Sequence, residues 1–265
     1  MHFAPILSRI WPLPNGSGRI LDKYAKDIDL GSGERVTHTS DGVLMHVYAD
    51  DLIGRHILMS GKFDRSTVQV LLDHAKPNDA LLDIGANIGY VSACFLAEVR
   101  GSTAVCIDPQ PGVADLLRKN MAQFGMRAQV MQIGLADRDG TLRFHVNTAN
   151  RGASRISDDG EVEIPVRDAL KVLENMERVD LIKIDVEGFE ERIFRAIAGE
   201  LQRLKPRAIV FEDQTGSASS EGAIGSILCK AGYRIFGIDK RLFKTKLVPI
   251  RSKLDCRFND YLASA

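Results

Sequence analysis

The stretch that decides the fold is Leu81-Leu82-Asp83-Ile84-Gly85-Ala86-Asn87-Ile88-Gly89. A short apolar run ends in an acid, two glycines enclose a small polar turn, and an amphipathic segment follows. This pattern predicts a buried strand, a tight turn and the first turn of a helix. Glycine permits close backbone approach and positive φ, and the free N–H groups at a helix start can face a ligand. The acid at the strand end favours a cationic or hydroxyl-rich ligand over a phosphate.

The spacing of the glycines excludes two common nucleotide-binding motifs. Gly85-x-x-x-Gly89 lacks the third glycine of the dinucleotide fingerprint, and no Lys-Ser or Lys-Thr pair follows it as in a phosphate-binding P-loop. A nucleoside with a charged amino-acid tail, such as S-adenosylmethionine (SAM), fits the segment better. A purely structural turn is the alternative at this point.

The composition indicates a globular chain with no global attraction to nucleic acid. The 265 residues are 45% hydrophobic, and 35 Lys and Arg balance 35 Asp and Glu, so there is no net field for a polyanion. The four cysteines have no Cys-x-x-Cys spacing, which predicts neither a zinc site nor a disulfide framework. Residues 1–12 lack the pattern of a secretory signal, and no apolar run is long enough to span a bilayer. We therefore expect a soluble cytoplasmic protein with no nucleic-acid partner.

Strand-like apolar runs alternate with helix-like segments from residue 80 onward. This alternation predicts an α/β fold with a mostly parallel sheet of about seven strands and helices on both faces. The predicted strands are residues 80–84, 104–107, 129–133, 181–184, 208–211, 233–238 and 242–248. Residues 135–173 break the alternation, and strands at 141–146 and 162–166 predict a β insertion after the third strand. We assign residues 1–40 to an N-terminal extension packed on a single domain at 41–265.

Acidic residues follow several of the predicted strands. The carboxyl ends of parallel strands meet at one edge of the sheet, where α/β folds bind ligands. A rim of carboxylates is unfavourable there unless a cationic or hydroxyl-rich ligand occupies it. The acids concerned are Asp83, Asp108, Asp185, Glu212 and Asp213.

Three positions after the second and third strands suggest how a nucleoside would be held. Asp108 can accept hydrogen bonds from both ribose hydroxyls, although a plain strand-end cap is the alternative. Gly134 leaves room for a flat adenine ring, and Leu135 can cover one face of that ring. The β insertion would lie at the same edge and shape an acceptor pocket, or it is a hairpin without a function.

Two further motifs and a loop extend the first stretch. The motifs are Ile107-Asp108-Pro109 and Ile182-Lys183-Ile184-Asp185-Val186-Glu187-Gly188-Phe189-Glu190, and the loop is Asn150-Arg151-Gly152-Ala153-Ser154. Together they closely resemble the FkbM-type SAM-dependent methyltransferases over about residues 61–212. The second motif is the most specific part of the resemblance. Asp64 stands where that family often carries a glutamate.

The resemblance implies a class I methyltransferase fold, which is a Rossmann-like α/β sheet. It also implies O-methylation of a small hydroxylated acceptor, above all a sugar, a glycoconjugate or a secondary metabolite. A SAM-binding module without turnover, acting within a biosynthetic complex, is the alternative. The residues expected to bind the cofactor are Asp64, Asp83, Gly85, Ala86, Asn87, Gly89, Asp108, Pro109, Gly134, Leu135 and Asp185.

Methyl transfer to an alcohol needs a base or a metal ion, because alcohols are poor nucleophiles at neutral pH. Asp185 and Glu212 are the expected catalytic residues. The acids after the fourth and fifth strands resemble those of magnesium-dependent sugar O-methyltransferases, which would make Asp185, Glu212 and Asp213 ligands of Mg²⁺. Without a metal, Asp185 is the base and Glu212 bonds to the acceptor. The basic segment 240–257 is either a solvated face or a contact for an anionic carrier on the acceptor.

Overall fold

The computed structural model describes residues 3–11, 13, 15–147 and 150–265. Within these residues an eight-stranded sheet forms the centre of the molecule. Numbered along the chain and given in their order across the sheet, its strands are β13 (Thr245–Pro249), β12 (Arg234–Lys240), β14 (Asp260–Ser264), β11 (Ala208–Glu212), β10 (Leu181–Ile184), β3 (Ala80–Ile84), β4 (Thr103–Ile107) and β5 (Ala128–Met131).

The five strands from β11 to β5 are parallel, and the three remaining strands alternate in direction beside them. Strands β3 and β10 are buried along almost their whole length, as near-continuous Leu and Ile runs at the centre of a parallel sheet require. The mostly parallel sheet of a class I, Rossmann-like α/β fold is therefore confirmed.

The C-terminal edge of the sheet differs from the sequence-based expectation. The strand predicted at 242–248 is β13, which begins at Thr245 and lies at the edge. The chain then returns through β14, which inserts antiparallel between β11 and β12. The described sheet therefore has eight strands where about seven were predicted.

Helices cover both faces of the sheet, as the alternation predicted. The described helices are α1 (Phe3–Arg9), α2 (Ser17–Tyr24), α3 (Leu52–Ser60), α4 (Arg65–His74), α5 (Tyr90–Glu98), α6 (Val113–Ala122), α7 (Ala169–Glu174), α8 (Glu190–Leu204) and α9 (Ala223–Lys230). Leu71, Phe95 and Leu117 form the core on one face. Phe194 and Leu228 belong to the core on the other.

The predicted β insertion is a small separate sheet. Its strands, in spatial order, are β6 (Gly134–Ala136), β9 (Val162–Asp168), β7 (Gly140–His145) and β8 (Arg155–Ile156). The strands β7 and β9 match the two predicted ones. The short strands β6 and β8 were not predicted, because three or two residues carry no readable alternation.

The N-terminal residues form two helices and a hairpin. Helices α1 and α2 pack against α3 around Leu21, Ala25 and Met59. Strands β1 (Glu34–His38) and β2 (Leu44–Tyr48) pair across the boundary drawn at residue 40, and the domain division stays a prediction. Among the helices of the described residues, none combines the length and apolar character needed to cross a membrane. The cytoplasmic location also stays a prediction.

Candidate active site

A cleft of about 360 Å³ opens at the carboxyl ends of β3, β4, β10 and β11. This is the edge at which open α/β sheets bind ligands, and the volume is within the range of small-molecule sites. The loops after these strands form its floor, while the insertion and the segment before α4 contribute to its walls. Ten of the predicted site residues line it: Asp64, Gly85, Ala86, Asn87, Asp108, Pro109, Gly134, Leu135, Asp185 and Glu212.

The glycine turn after β3 is pressed against the loop after β10. Gly85 has φ 77°, and a Cβ at this position would lie 1.7 Å from the backbone oxygen of Asp185. The N–H groups of Gly85 and Ala86 both donate to the Ile107 carbonyl, at 2.9 and 3.0 Å. A residue with a side chain would separate the two loops, so only glycine fits here.

Gly89, predicted as a cofactor contact, lies behind the glycine turn. It begins α5 with φ 82°, and a Cβ there would lie 2.6 Å from Leu117 Cδ1 and 2.8 Å from Met121 Cε. The residue therefore lets α5 pack closely against α6. It supports the turn from behind and does not line the cleft.

Asp108 is held in position by the backbone. Its Oδ2 accepts from Asn87 N at 2.8 Å, and its Oδ1 accepts from Gln110 N at 2.9 Å. Burial raises the pKa of Asp108 to about 6, although these two N–H donors act in the opposite direction. Each oxygen has a second lone pair for a ligand donor, so a pair of ribose hydroxyls would match this carboxylate.

Asp83 lies beneath the cleft and pairs with Lys183. The two residues are neighbours in the β3–β10 register, and Asp83 Oδ1 is 3.3 Å from Lys183 Nζ. The ammonium also donates to the Gly85 carbonyl at 2.9 Å and lies 3.4 Å from Asp185 Oδ2. Burial would lower the pKa of Lys183, but the two carboxylates outweigh burial and raise it. Asp83, predicted as a cofactor contact, thus lies beneath the turn and pairs with Lys183.

Three carboxylates meet at the ends of β10 and β11. Asp185, Glu187 and Glu212 each offer an oxygen within 4.8 Å of the other two. Burial and the charge of Asp185 raise the pKa of Glu187 to about 7 and that of Glu212 to about 8. The two predicted catalytic residues thus lie together, and Glu187, from the same motif as Asp185, is a third member.

The turn that presents Glu187 is held by a neighbouring glutamate. Glu190, at the start of α8, accepts from the backbone N–H groups of Val186 and Gly188 at 3.0 Å each. Glu187 itself adopts φ 53°, a conformation uncommon for a residue with a side chain. The motif around Asp185 is therefore a rigid acidic turn.

Asp213, predicted as a metal ligand, is turned away from this group. Its Oδ1 accepts from the backbone N and Oγ1 of Thr215, at 2.9 and 2.7 Å. Its Oδ2 accepts from Ala218 N at 2.7 Å. These bonds close the loop after β11, and within the described residues the carboxylate group contains Glu187 and not Asp213.

A second charged cluster in the cleft was not predicted as a cluster. Lys240 Nζ contacts Asp64 Oδ1 at 2.6 Å and Asp260 Oδ2 at 2.8 Å. Burial would raise the pKa of Asp64, but the Lys240 ammonium outweighs it and the pKa is lowered. Burial and the charge of Asp64 raise the pKa of Asp260. This cluster brings the segment before α4 together with the ends of β12 and β14.

Apolar residues line the side of the cleft near the insertion. A Cβ on Gly134 would lie 3.0 Å from Val166 Cγ1, and Leu135 and Pro109 line the cleft beside it. The insertion adds Phe144 and Arg151 to the lining. The guanidinium of Arg151 lies over the Tyr48 ring, 4.3 Å from its centroid. The insertion thus reaches the cleft, as one of the two sequence hypotheses expected.

The residues of the cleft fit SAM. Asp108 offers a buried carboxylate with free lone pairs at a position suited to ribose. The Gly134 side is lined by apolar residues, while the other side carries carboxylates that suit a cation. The sheet order and this cleft define a class I SAM-dependent methyltransferase.

Comparison with known proteins identifies the family. The model of the methyltransferase FkbM domain matches residues 83–235, more than half of the chain. The chain belongs to the FkbM methyltransferase family.

Two curated methyltransferases are among its relatives. Hexuronic acid methyltransferase AglP of Haloferax volcanii is 25% identical over 142 residues, which are 52% of this chain and 58% of AglP. The 2-O-methyltransferase NoeI of Sinorhizobium fredii is 25% identical over 184 residues, which are 62% of this chain and 73% of NoeI. The match therefore spans less than two thirds of AglP.

Solved structures resemble the fold. A TehB-like SAM-dependent methyltransferase from Corynebacterium glutamicum has 11% identity and a TM-score of 0.45, covering 79% of this chain and 91% of that one. Precorrin-6y C5,15-methyltransferase from Geobacter metallireducens has 13% identity and a TM-score of 0.44, covering 77% and 91%. At such scores neither structure informs the acceptor.

Proposed function

We propose that this chain transfers the methyl group of SAM to a hydroxyl of a sugar or glycoconjugate. The observation that carries the proposal is the group of Asp185, Glu187 and Glu212 in the same cleft as Asp108. An acid cluster at this place can activate a hydroxyl next to a bound nucleoside. The name of AglP supports a sugar-like acceptor, and the name of NoeI supports transfer to oxygen.

Different residues of the cleft are proposed to hold the ribose, the adenine and the amino-acid end of SAM. Asp108 holds the ribose hydroxyls, and the surface of Gly134 and Leu135 holds the adenine. Asp64 and Lys240 are a carboxylate and an ammonium 2.6 Å apart. They are suited to the oppositely charged ends of an α-amino acid. Bound SAM supplies a methyl group made electrophilic by its sulfonium.

The three carboxylates have different proposed roles. Asp185 accepts the proton of the acceptor hydroxyl while the hydroxyl oxygen takes the methyl group from SAM, which leaves as S-adenosylhomocysteine. Glu212 and Glu187, with pKa values raised to about 8 and about 7, hold protons in part at neutral pH. A protonated carboxyl can donate a hydrogen bond to another acceptor oxygen, which orients the acceptor.

The decisive experiment measures both binding and turnover. SAM is titrated into the chain, and release of S-adenosylhomocysteine is followed with a panel of uronic acids, neutral sugars and glycolipids. We expect release with at least one sugar and a loss of about 10²-fold or more in Asp185→Asn, the scale of a general base. The control Asp115→Asn changes an exposed carboxylate on α6 and keeps full activity. Binding without release across the panel would favour the non-catalytic module.

A bound Mg²⁺ is the second form of the proposal. The trio of Asp185, Glu187 and Glu212 has oxygen ligands of the kind Mg²⁺ prefers. In this form the three carboxylates would hold the ion, which would supply Lewis-acid activation of the acceptor hydroxyl. Turnover is measured with and without chelator, and full activity in excess chelator would exclude the metal-dependent form while leaving Asp185 as the base.

A further inference from the structure

Helix α1 presents its apolar residues to the solvent. Phe3 and Ile10 are 76% and 69% exposed, and Ile6 and Leu7 between them are also exposed. The four positions follow the i, i+3, i+4, i+7 spacing of one helix face. The residues that α1 packs against the molecule are instead the small Ala4 and Ser8. A helix that exposes its large apolar side chains and buries its small ones has an unpartnered face.

A second apolar projection lies next to this helix. The turn 241–244, between β12 and β13, exposes Leu242 and 75% of Phe243. The Asn15 amide donates to the Arg241 carbonyl at 2.7 Å, and Trp11, just after α1, donates to the Asn15 carbonyl at 2.8 Å. These bonds connect the end of α1 to the turn. We name α1 together with residues 241–246 the apolar-basic surface.

The charges on this surface are positive. Arg9 on α1 and Lys244 and Lys246 beside Phe243 are exposed, while the nearby Arg241 pairs with Asp239 at 2.6 Å. The chain as a whole has a net charge of zero, so this basic character is local. Five of the ten exposed large apolar residues in the described chain belong to this surface, and Ile10 directly follows α1.

We infer that the apolar-basic surface binds anionic lipid bilayers. An exposed helix face and an exposed turn that carry apolar side chains among Lys and Arg match an interface where apolar side chains enter the acyl boundary and cations meet anionic head groups. A protein groove would need a complementary acidic and apolar shape, whereas a bilayer accepts any convex apolar tip. The inference goes beyond methyl transfer and does not depend on it.

Lipid binding would also affect the acceptor. Lys240, which lines the cleft, directly precedes the turn 241–244. A bilayer at the apolar-basic surface would therefore touch the polypeptide one residue from a cleft side chain. An acceptor carried on a lipid could then be delivered from the same membrane.

The test uses the whole chain without cofactor and vesicle co-sedimentation. Vesicles of phosphatidylcholine alone are compared with vesicles that also contain phosphatidylglycerol, at low and high salt. We expect binding to the anionic vesicles and release at high salt, because added salt screens exposed charges. Binding to neither kind of vesicle would overturn the inference, and so would equal binding to both.

Two pairs of variants examine the apolar and basic parts separately. The double variant Ile6→Ser with Phe243→Ser removes two exposed apolar side chains. It is expected to weaken binding to anionic vesicles by about tenfold or more. Its control is Met126→Ser, a fully exposed methionine near β5 at the opposite edge of the sheet. Lys244→Glu with Lys246→Glu is expected to weaken binding by about tenfold or more, with the exposed Lys230→Glu as control. If both double variants bind as the wild type does, the inference is wrong.

A second copy of the chain is the competing occupant. Sedimentation equilibrium over a range of concentrations, without vesicles, measures self-association. Two results together would assign the surface to the second copy and overturn the inference. The wild type would form a dimer that the double variant Ile6→Ser with Phe243→Ser does not form, and the wild type would not bind anionic vesicles. A monomer that binds anionic vesicles supports it.

Discussion

At the scale of single residues, the cleft keeps protonated carboxyls where an exposed glutamate would be charged. The ordinary pKa of a glutamate here is 4.5, and burial with the charge of Asp185 raises that of Glu212 to about 8. Between these values the folded chain holds a proton that the unfolded chain has released. The free energy of unfolding therefore falls as the pH rises through this window.

Replacement of Glu212 by glutamine should reduce the loss of unfolding free energy with rising pH. We expect the melting temperature of Glu212→Gln to decline less than that of the wild type between pH 5 and pH 8.5. Some decline should persist, because the pKa of Glu187 is also raised, to about 7. Differential scanning calorimetry at both pH values measures the difference, with the exposed Glu221→Gln as control. Equal declines in Glu212→Gln and wild type would contradict the raised pKa.

Gly85→Ala tests the close approach of the two loops. An alanine at positive φ costs about 1–2 kcal/mol by itself, and here its Cβ would also meet the Asp185 carbonyl. Gly33→Ala is the matched control, because Gly33 has φ 82° and nothing within 4 Å of the added Cβ. We expect Gly85→Ala to lose more unfolding free energy in urea than Gly33→Ala, and to lose S-adenosylhomocysteine binding in calorimetry. Equal losses for the two variants would mean that the contact is unimportant.

At the scale of elements, β14 connects the C-terminal residues to the cleft. It pairs with β11 on one side and β12 on the other, and Tyr261, Leu262 and Ala263 are buried between the two cores. Because β14 runs antiparallel, its first residue, Asp260, lies opposite Glu212, the last residue of β11. The strand therefore contributes both to the core and to the charged rim.

Leu262→Ala should show how much the sheet depends on β14. Removal of a fully buried leucine side chain leaves a cavity and costs about 2–5 kcal/mol of unfolding free energy. Leu254→Ala makes the same change at an exposed leucine eight positions earlier and should change stability by less than about 0.5 kcal/mol. Urea denaturation of both variants gives the comparison. A small loss in Leu262→Ala would show that β14 is dispensable.

The sequence predicted those parts of the fold that depend on local pattern. The parallel strands and the turn at Gly85 are encoded by neighbouring residues, and the acids after β4, β10 and β11 follow from the same motifs. The positions of Lys240 and Asp260 depend on the order and direction of β12 and β14. No local pattern reveals that order. The positive φ of Glu187 and the orientation of Asp213 go with hydrogen bonds inside their own loops, which the residue pattern alone does not specify.

The position of Asp83 follows from the geometry of neighbouring parallel strands. Side chains alternate between the two faces along a strand, and register partners on neighbouring strands point to the same face. Asp83 and Lys183 are such partners, so both lie beneath the turn instead of at the rim. A lysine opposite an acid in two adjacent parallel strands was the signal that could have revealed the pair.

At the scale of the whole molecule, the cleft is assembled from distant parts of the chain. Asp64 lies before α4, Asp108 follows β4, Arg151 belongs to the insertion and Asp260 starts the last strand. A ligand that contacts several of these parts stabilises them together. Binding should therefore raise the stability of the entire fold and not that of one loop.

S-adenosylhomocysteine should accordingly shift the thermal unfolding of the whole chain. A ligand present at a hundredfold excess over its Kd adds about 2.7 kcal/mol to the unfolding free energy, which corresponds to about 5–10 °C for a domain of this size. Asp108→Ala removes the proposed ribose contact and should abolish most of the shift at the same ligand concentration. Asp115→Ala, on the exposed side of α6, should retain the shift in full. A shift of the same size in Asp108→Ala would place the nucleoside elsewhere and would overturn the proposed role of this carboxylate.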